Sequence, residues 1–188
     1  MILGKTMTQT NGFRLHIDIR NEPWRAIRGL KKRLESATAL TLASLPAALL
    51  PAAKGAEVTL MLTTNAAVRA LNHDYRGVDK PTNVLSFPQF ERSTLIKAGK
   101  TGEPVYVGDI AVAYQVVVKE AKSEDKVLLD HVTHLLIHGL LHLFGYDHDT
   151  ASKARPMEKL EREIMATLGL PDPYAPLLFR GNLKKEKR

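Results

Sequence analysis

The sequence contains no cysteine. Disulfides and thiolate-held metals are thereby excluded, so any metal site must be built from histidine or carboxylate. The same absence fits a reducing compartment, and a cytoplasmic location is expected. Nor is there an uncharged apolar run of the ~18 residues that a membrane helix needs. The longest apolar run with few charges, Ala37 to Ala53, is broken by Pro46 and Pro51. The first residues lack the charged start, apolar core and small-residue cleavage site of a signal peptide. No repeat and no low-complexity linker divides the chain. Its 188 residues therefore read as one domain over residues 13–170. A disordered start is expected at 1–12 and a basic tail at 171–188.

What is present is ordinary in bulk and unusual in one place. Apolar residues make up 44% and charged residues 25%, which suits a packed soluble domain. Basic residues outnumber acidic ones by 27 to 20, for a net charge of +7, and a polyanion is the partner such a balance suggests. Much of the excess lies at the ends. Arg25, Arg28, Lys31, Lys32 and Arg33 crowd one early segment, and Lys184, Lys185, Lys187 and Arg188 close the chain. A solvated helix face and a solubilising tail explain these runs equally well.

The unusual place is His138-Gly139-Leu140-Leu141-His142-Leu143-Phe144-Gly145-Tyr146-Asp147-His148. Residues four apart on a helix share a face, so His138 and His142 can aim at one point. Gly145 can adopt a left-handed conformation, end the helix and return the chain. His148 then arrives as a third ligand. Three protein nitrogens and one open position is how catalytic zinc is commonly held. The spacing is that of the metzincin metalloproteases with one change: Gly139 stands where their glutamate acts as general base. Helix geometry also places His131, His134, His138 and His142 within about 80° of one another. His134 is thus an alternative partner of His138. The set 138/142/148 is preferred because it explains the glycine turn, leaving His134 and Asp130 as supporting residues or a polar stripe.

Around this motif, alternation and apolar spacing predict strands at Phe13–Ile19, Glu57–Leu62, Asn83–Phe87 and Val105–Val112. Helices are expected from Glu22 to about Leu45, from Asn65 to about Arg76, at about 113–121, at Asp125–Phe144 and at Pro156–Leu168. Residues 89–104 read as a loop. Strands early and helices late argue α+β.

The histidine block resembles the signature of the YbeY family, zinc-dependent endoribonucleases of ribosomal RNA maturation. The run from Leu71 to Pro88, with Tyr75-Arg76-Gly77 and Thr82-Asn83-Val84-Leu85-Ser86-Phe87-Pro88, is similar to a second family block. Val107-Gly108-Asp109-Ile110 and the pair Met157 and Glu161 before Leu168-Gly169 resemble two more. The likeness spans roughly residues 13 to 170 in consistent order. It implies a zincin-like fold with a four-stranded mixed sheet and a metal-site helix followed by a glycine turn. It implies His138, His142 and His148 as ligands of one Zn2+ per chain, and Arg76 as a catalytic basic residue facing the metal across the cleft. It implies a single-strand-specific endoribonuclease acting on precursor ribosomal RNA at the 16S 3′ end, with ribosomal particles as partners and neither DNA nor membrane. Two readings compete with it: a metallopeptidase-like hydrolase, and a non-catalytic ribosome-assembly factor with a structural zinc. Gly139 argues against the first. An open metal position argues against the second.

Overall fold

The computed structural model describes residues 6–10 and 12–175, with side chains from residue 12 onward. Five strands form one mixed sheet: β1 (Thr6–Thr10), β2 (Phe13–Ile19), β3 (Ala56–Thr63), β4 (Val84–Pro88) and β5 (Val105–Ala113), in the spatial order β1-β2-β3-β5-β4. The pairs β2/β3 and β3/β5 are parallel, and both edges are antiparallel. The four expected strands are all present. The fifth, β1, lies in the segment expected to be disordered and adds an edge to the four-stranded sheet that the resemblance implied. Residues 1–5 and 11 of that segment lie outside the described ones. So do residues 176–188, the greater part of the expected basic tail.

Helices cover the sheet: α1 (Glu22–Arg25), α2 (Leu30–Ala43), α3 (Leu50–Lys54), α4 (Asn65–Arg76), α5 (Arg92–Gly99), α6 (Tyr114–Ser123), α7 (Leu128–Leu143) and α8 (Ala151–Thr167). Four of them correct the sequence reading. The single helix expected from Glu22 is split, because Gly29 is left-handed at φ 76° and interrupts the backbone pattern between α1 and α2. The expected loop at 89–104 contains α5, whose Leu95 and Gly99 are buried. Gly99 packs so close to Ala52 of α3 that an added Cβ would come within 2.4 Å of its backbone nitrogen. That is a tertiary reason for a helix in a stretch with little helical periodicity of its own. The last helix starts at Ala151 and carries Pro156 inside it. The proline forgoes one backbone bond there, while the Lys153–Asp149 ion pair, at 3.0 Å, braces the first turn.

The two sheet faces are packed differently. Ile110 and Val112 of β5 join the main core under α7, whereas the alternate residues Ala111 and Ala113 join a smaller cluster with Val68 of α4. Successive strand residues point to opposite faces, so α7 and α4 lie on opposite sides of the sheet. Near its edge, β4 touches both helices. Helix α7 is buried on most of its circumference through Leu136, Ile137, Leu140 and Leu141. Each such side chain contributes roughly 1.5–3 kcal/mol. Beyond its first turn, what remains half-buried is the stripe His134, His138 and His142. No helix among the described residues is long and apolar enough to cross a membrane.

Candidate metal centre

The site begins with the end of α7. Gly145 takes φ 75°, a conformation that non-glycine residues adopt only with strain. The Gly145 N–H donates to the His142 carbonyl at 3.0 Å and the Tyr146 N–H to the Leu141 carbonyl at 3.0 Å. These two bonds make a Schellman turn. Besides ending the helix, the turn reverses the chain and carries His148 back over it. A Cβ on Gly145 would also sit 2.6 Å from the Cβ of Arg92, whose guanidinium stacks over Tyr146. Asp147 fastens the loop by accepting the His148 N–H at 2.8 Å and pairing with Lys153 at 3.1 Å. The lysine, and then the His148 N–H, hold its carboxyl down at about 2.

Three imidazoles meet above this turn. Ring centres of His138, His142 and His148 are 4.6 to 5.1 Å apart, and one ligand atom from each lies within 4.8 Å of the others. Their tautomers follow from their partners. The Nδ1 of His142 faces the Tyr146 carbonyl at 3.0 Å and must donate to it. The Nδ1 of His138 faces a carboxylate oxygen of Glu161 at 2.9 Å and must also donate. Both neutral rings therefore have unprotonated Nε2 atoms, and these two atoms are 3.1 Å apart. Two lone pairs directed at each other repel unless a cation lies between them. Burial, with His138 and His148 beside it, pushes the His142 imidazole down to about 4. The donor set fits a metal that takes nitrogen ligands, and it holds no thiolate or carboxylate that would favour another class.

The neighbours of the cluster divide clearly. Glu161, from α8, is wholly buried and accepts from His138, from His134 Nε2 at 2.8 Å and from the Tyr174 hydroxyl. Burial alone would raise its carboxyl, but the bonds from His134 and His138 outweigh this and hold it at about 2. Burial and the same carboxylate push the Tyr174 hydroxyl up. His134 is thus bonded to Glu161 and stands outside the three-histidine group. Asp130 pairs with Arg33 at 3.0 Å, the polar-stripe alternative.

The histidines predicted from sequence come together. Arg76 is exposed at the C-terminus of α4, a helix on the other sheet face. It stands beside the edge, where its neighbour Tyr75 packs edge-on against Phe87 of β4 at 5.0 Å. Asp109 also lies away from α7 and accepts the Tyr106 hydroxyl at 2.5 Å, a structural role. Sequence reasoning assigned no role to Glu161 or Tyr174. Glu161 lies 23 residues from His138, beyond any local spacing rule, and its only signal was its place in the last family block. Tyr174 had none.

The profile of the family described as "Endoribonuclease YbeY" matches residues 19–169. Among curated proteins, the "Endoribonuclease YbeY" of Rhodopseudomonas palustris strain BisB5 is 53% identical over 121 residues, which are 64% of this chain and 62% of that protein. The "Endoribonuclease YbeY" of Rhodopseudomonas palustris strain HaA2 is 50% identical over 141 residues, 74% of this chain and 72% of that protein. The match to the first of these, and to the Nitrobacter hamburgensis relative at 63%, thus spans less than two thirds of the relative's length. A solved structure, TM1509 from Thermotoga maritima, is 24% identical, with a TM-score of 0.48 over 85% of this chain and 99% of that one.

Proposed function

The chain belongs to the YbeY family of endoribonucleases, and on that premise we propose that it is a zinc-dependent enzyme cleaving single-stranded RNA in ribosomal RNA maturation, at the 3′ end of the 16S precursor. The observation that carries the proposal is the pair of Nε2 lone pairs of His138 and His142, 3.1 Å apart with both Nδ1 protons committed elsewhere. His138, His142 and His148 would hold one Zn2+ per chain, which would satisfy these lone pairs. When bound, the ion supplies Lewis-acid charge beside the scissile phosphate.

The protein's own groups do the remaining work. The Tyr146 carbonyl and Glu161 orient two imidazoles, and the Schellman turn positions the third. Arg76 is the residue we assign to the phosphate, since a guanidinium can bind two of its oxygens in a planar fork. Its exposure beside β4 supports this role. Among the described residues, β4 is an edge strand with no partner on its outer side. An RNA strand following that edge has the histidines on one flank and Arg76 on the other. The charge of +7 attracts a polyanion. Cytoplasmic ribosomal particles are the setting this reading implies.

The metallopeptidase reading lacks its base. Position 139 is a glycine, and it faces Ile110 in the core. A closed structural zinc would need a fourth ligand, and among the described residues the group that can hold an ion has three members. The test is cleavage of single-stranded RNA by metal-replete protein, by chelator-treated protein and by the His142→Ala and Arg76→Glu variants. Cleavage is expected only from the first, with Arg76→Glu keeping its zinc and losing about 100-fold or more in rate, as when a transition-state donor is removed. Zinc-dependent proteolysis without RNA cleavage would install the peptidase reading.

A further inference from the structure

We propose that Glu161 is a positioning residue of the metal centre, and that Tyr174, beyond the residues 19–169 that the family profile matches, locks it in place. The inference rests on the metal reading above. Glu161 is a wholly buried carboxylate with three donors on its two oxygens: His138 on Oε1, His134 and Tyr174 on Oε2. A buried charge is tolerated only when it is paired and hydrogen-bonded. Of these three donors, His138 leads directly to the cluster. By holding the Nδ1 proton of His138, the carboxylate fixes the tautomer and the ring plane that turn Nε2 toward His142. Its negative charge behind the ring also makes the imidazole a stronger donor to a cation. With a dication in the cluster, this buried charge gains the counter-charge that neutral histidines do not supply.

Tyr174 reaches Glu161 from the turn that follows α8. That turn is fastened at several points. Asp172 accepts the Tyr174 N–H at 2.9 Å and pairs with Arg162 at 3.4 Å. Arg162 lies 4.8 Å above the Tyr174 ring, and Lys126 donates to the Pro173 carbonyl at 3.4 Å. The ring meets His134 edge-on at 5.6 Å. Contacts of the ring alone would make Tyr174 a packing residue. Its hydroxyl, aimed at the carboxylate that orients a candidate ligand, gives it a second role. Together His134 and Tyr174 hold Oε2 so that Oε1 stays in line with His138.

The test compares full-length wild type with Glu161→Gln and Tyr174→Phe, measuring the zinc dissociation constant by competition with a chelating indicator. The visible spectrum of the Co2+-loaded proteins is the second readout. Glu161→Gln is expected to weaken zinc by about 10- to 100-fold and to shift the cobalt bands, because ring orientation and donor strength both change. Tyr174→Phe should weaken zinc by about tenfold or less and shift the bands in the same direction. A side chain that only packs would leave the bands in place. Metal uptake by wild type with unchanged affinity and unchanged cobalt spectra in both variants would overturn this proposal and leave the metal reading intact. No uptake of either metal by wild type would overturn the metal reading itself. Should Glu161→Gln fail to fold, Tyr174→Phe decides alone, since it removes a single oxygen from a partly exposed side chain.

Discussion

Gly139 separates this site from a metalloprotease, and its surroundings explain why it is small. A Cβ there would lie 3.0 Å from two side-chain carbons of Ile110 on β5. The helix therefore rests against the sheet through a bare backbone at the level of the histidines. Gly139→Glu would add a methylene chain and a carboxylate where the core has no space and no donor. Overpacking costs about 1–3 kcal/mol, and an unpaired buried polar group adds a comparable amount or more. Urea unfolding of the metal-free variant should show a loss of about 3 kcal/mol or more, and peptidase activity should not appear. A variant as stable as wild type that hydrolyses unstructured protein would show that the position faces the site.

Among the elements, the edge strand β4 depends on one side chain at its start. The Asn83 carboxamide oxygen accepts the Val84 N–H at 2.7 Å, and its nitrogen donates to both oxygens of Glu120 at 3.1–3.2 Å. Glu120 in turn accepts from the buried His131 Nε2 at 2.9 Å. One asparagine thus ties β4 to α6 and α7 and gives the Thr82-to-Pro88 motif a structural reason. Asn83→Ala strips Glu120 of a donor and frees the first N–H of the strand. Losing such partners costs about 1–3 kcal/mol, and hydrogen exchange at β4 should accelerate more than at the central strand β3. Equal protection of β4 in variant and wild type would show that the pairing with β5 suffices.

For the molecule as a whole, one buried and one half-buried imidazole set the response to acid. Burial pushes His131 below its ordinary value although Glu120 pulls it up, and burial takes His142 to about 4. Unfolded, both take up protons near pH 6.5; folded, they resist until lower pH. The unfolded state therefore binds more protons in this window, and stability rises with pH across it. Metal-free protein should be less stable to urea at pH 5 than at pH 7.5, with the decline steepest between about 6.5 and 4. Replacing His131 by Gln should flatten the profile. Constant stability over this range would show that these imidazoles are protonated and accommodated in the fold.

The sequence alone determined what depends on local spacing. His138 and His142 share a helix face because of the helical period, Gly145 marks the turn because few other residues tolerate its conformation, and Phe13–Ile19 alternates apolar and polar residues. Those features need only a few neighbouring residues to be specified. Tertiary structure decided what depends on distant partners. Helix α5 exists through its close approach to α3, and β1 through pairing with β2. Helix α4, which ends at Arg76, lies on the sheet face opposite α7 because alternate residues of β5 serve different helices. Glu161 and Tyr174 reach His138 and His134 only because α8 folds back along α7. A hydrogen bond reads distance in space, and no period along the chain encodes the return of an element some 20 residues later.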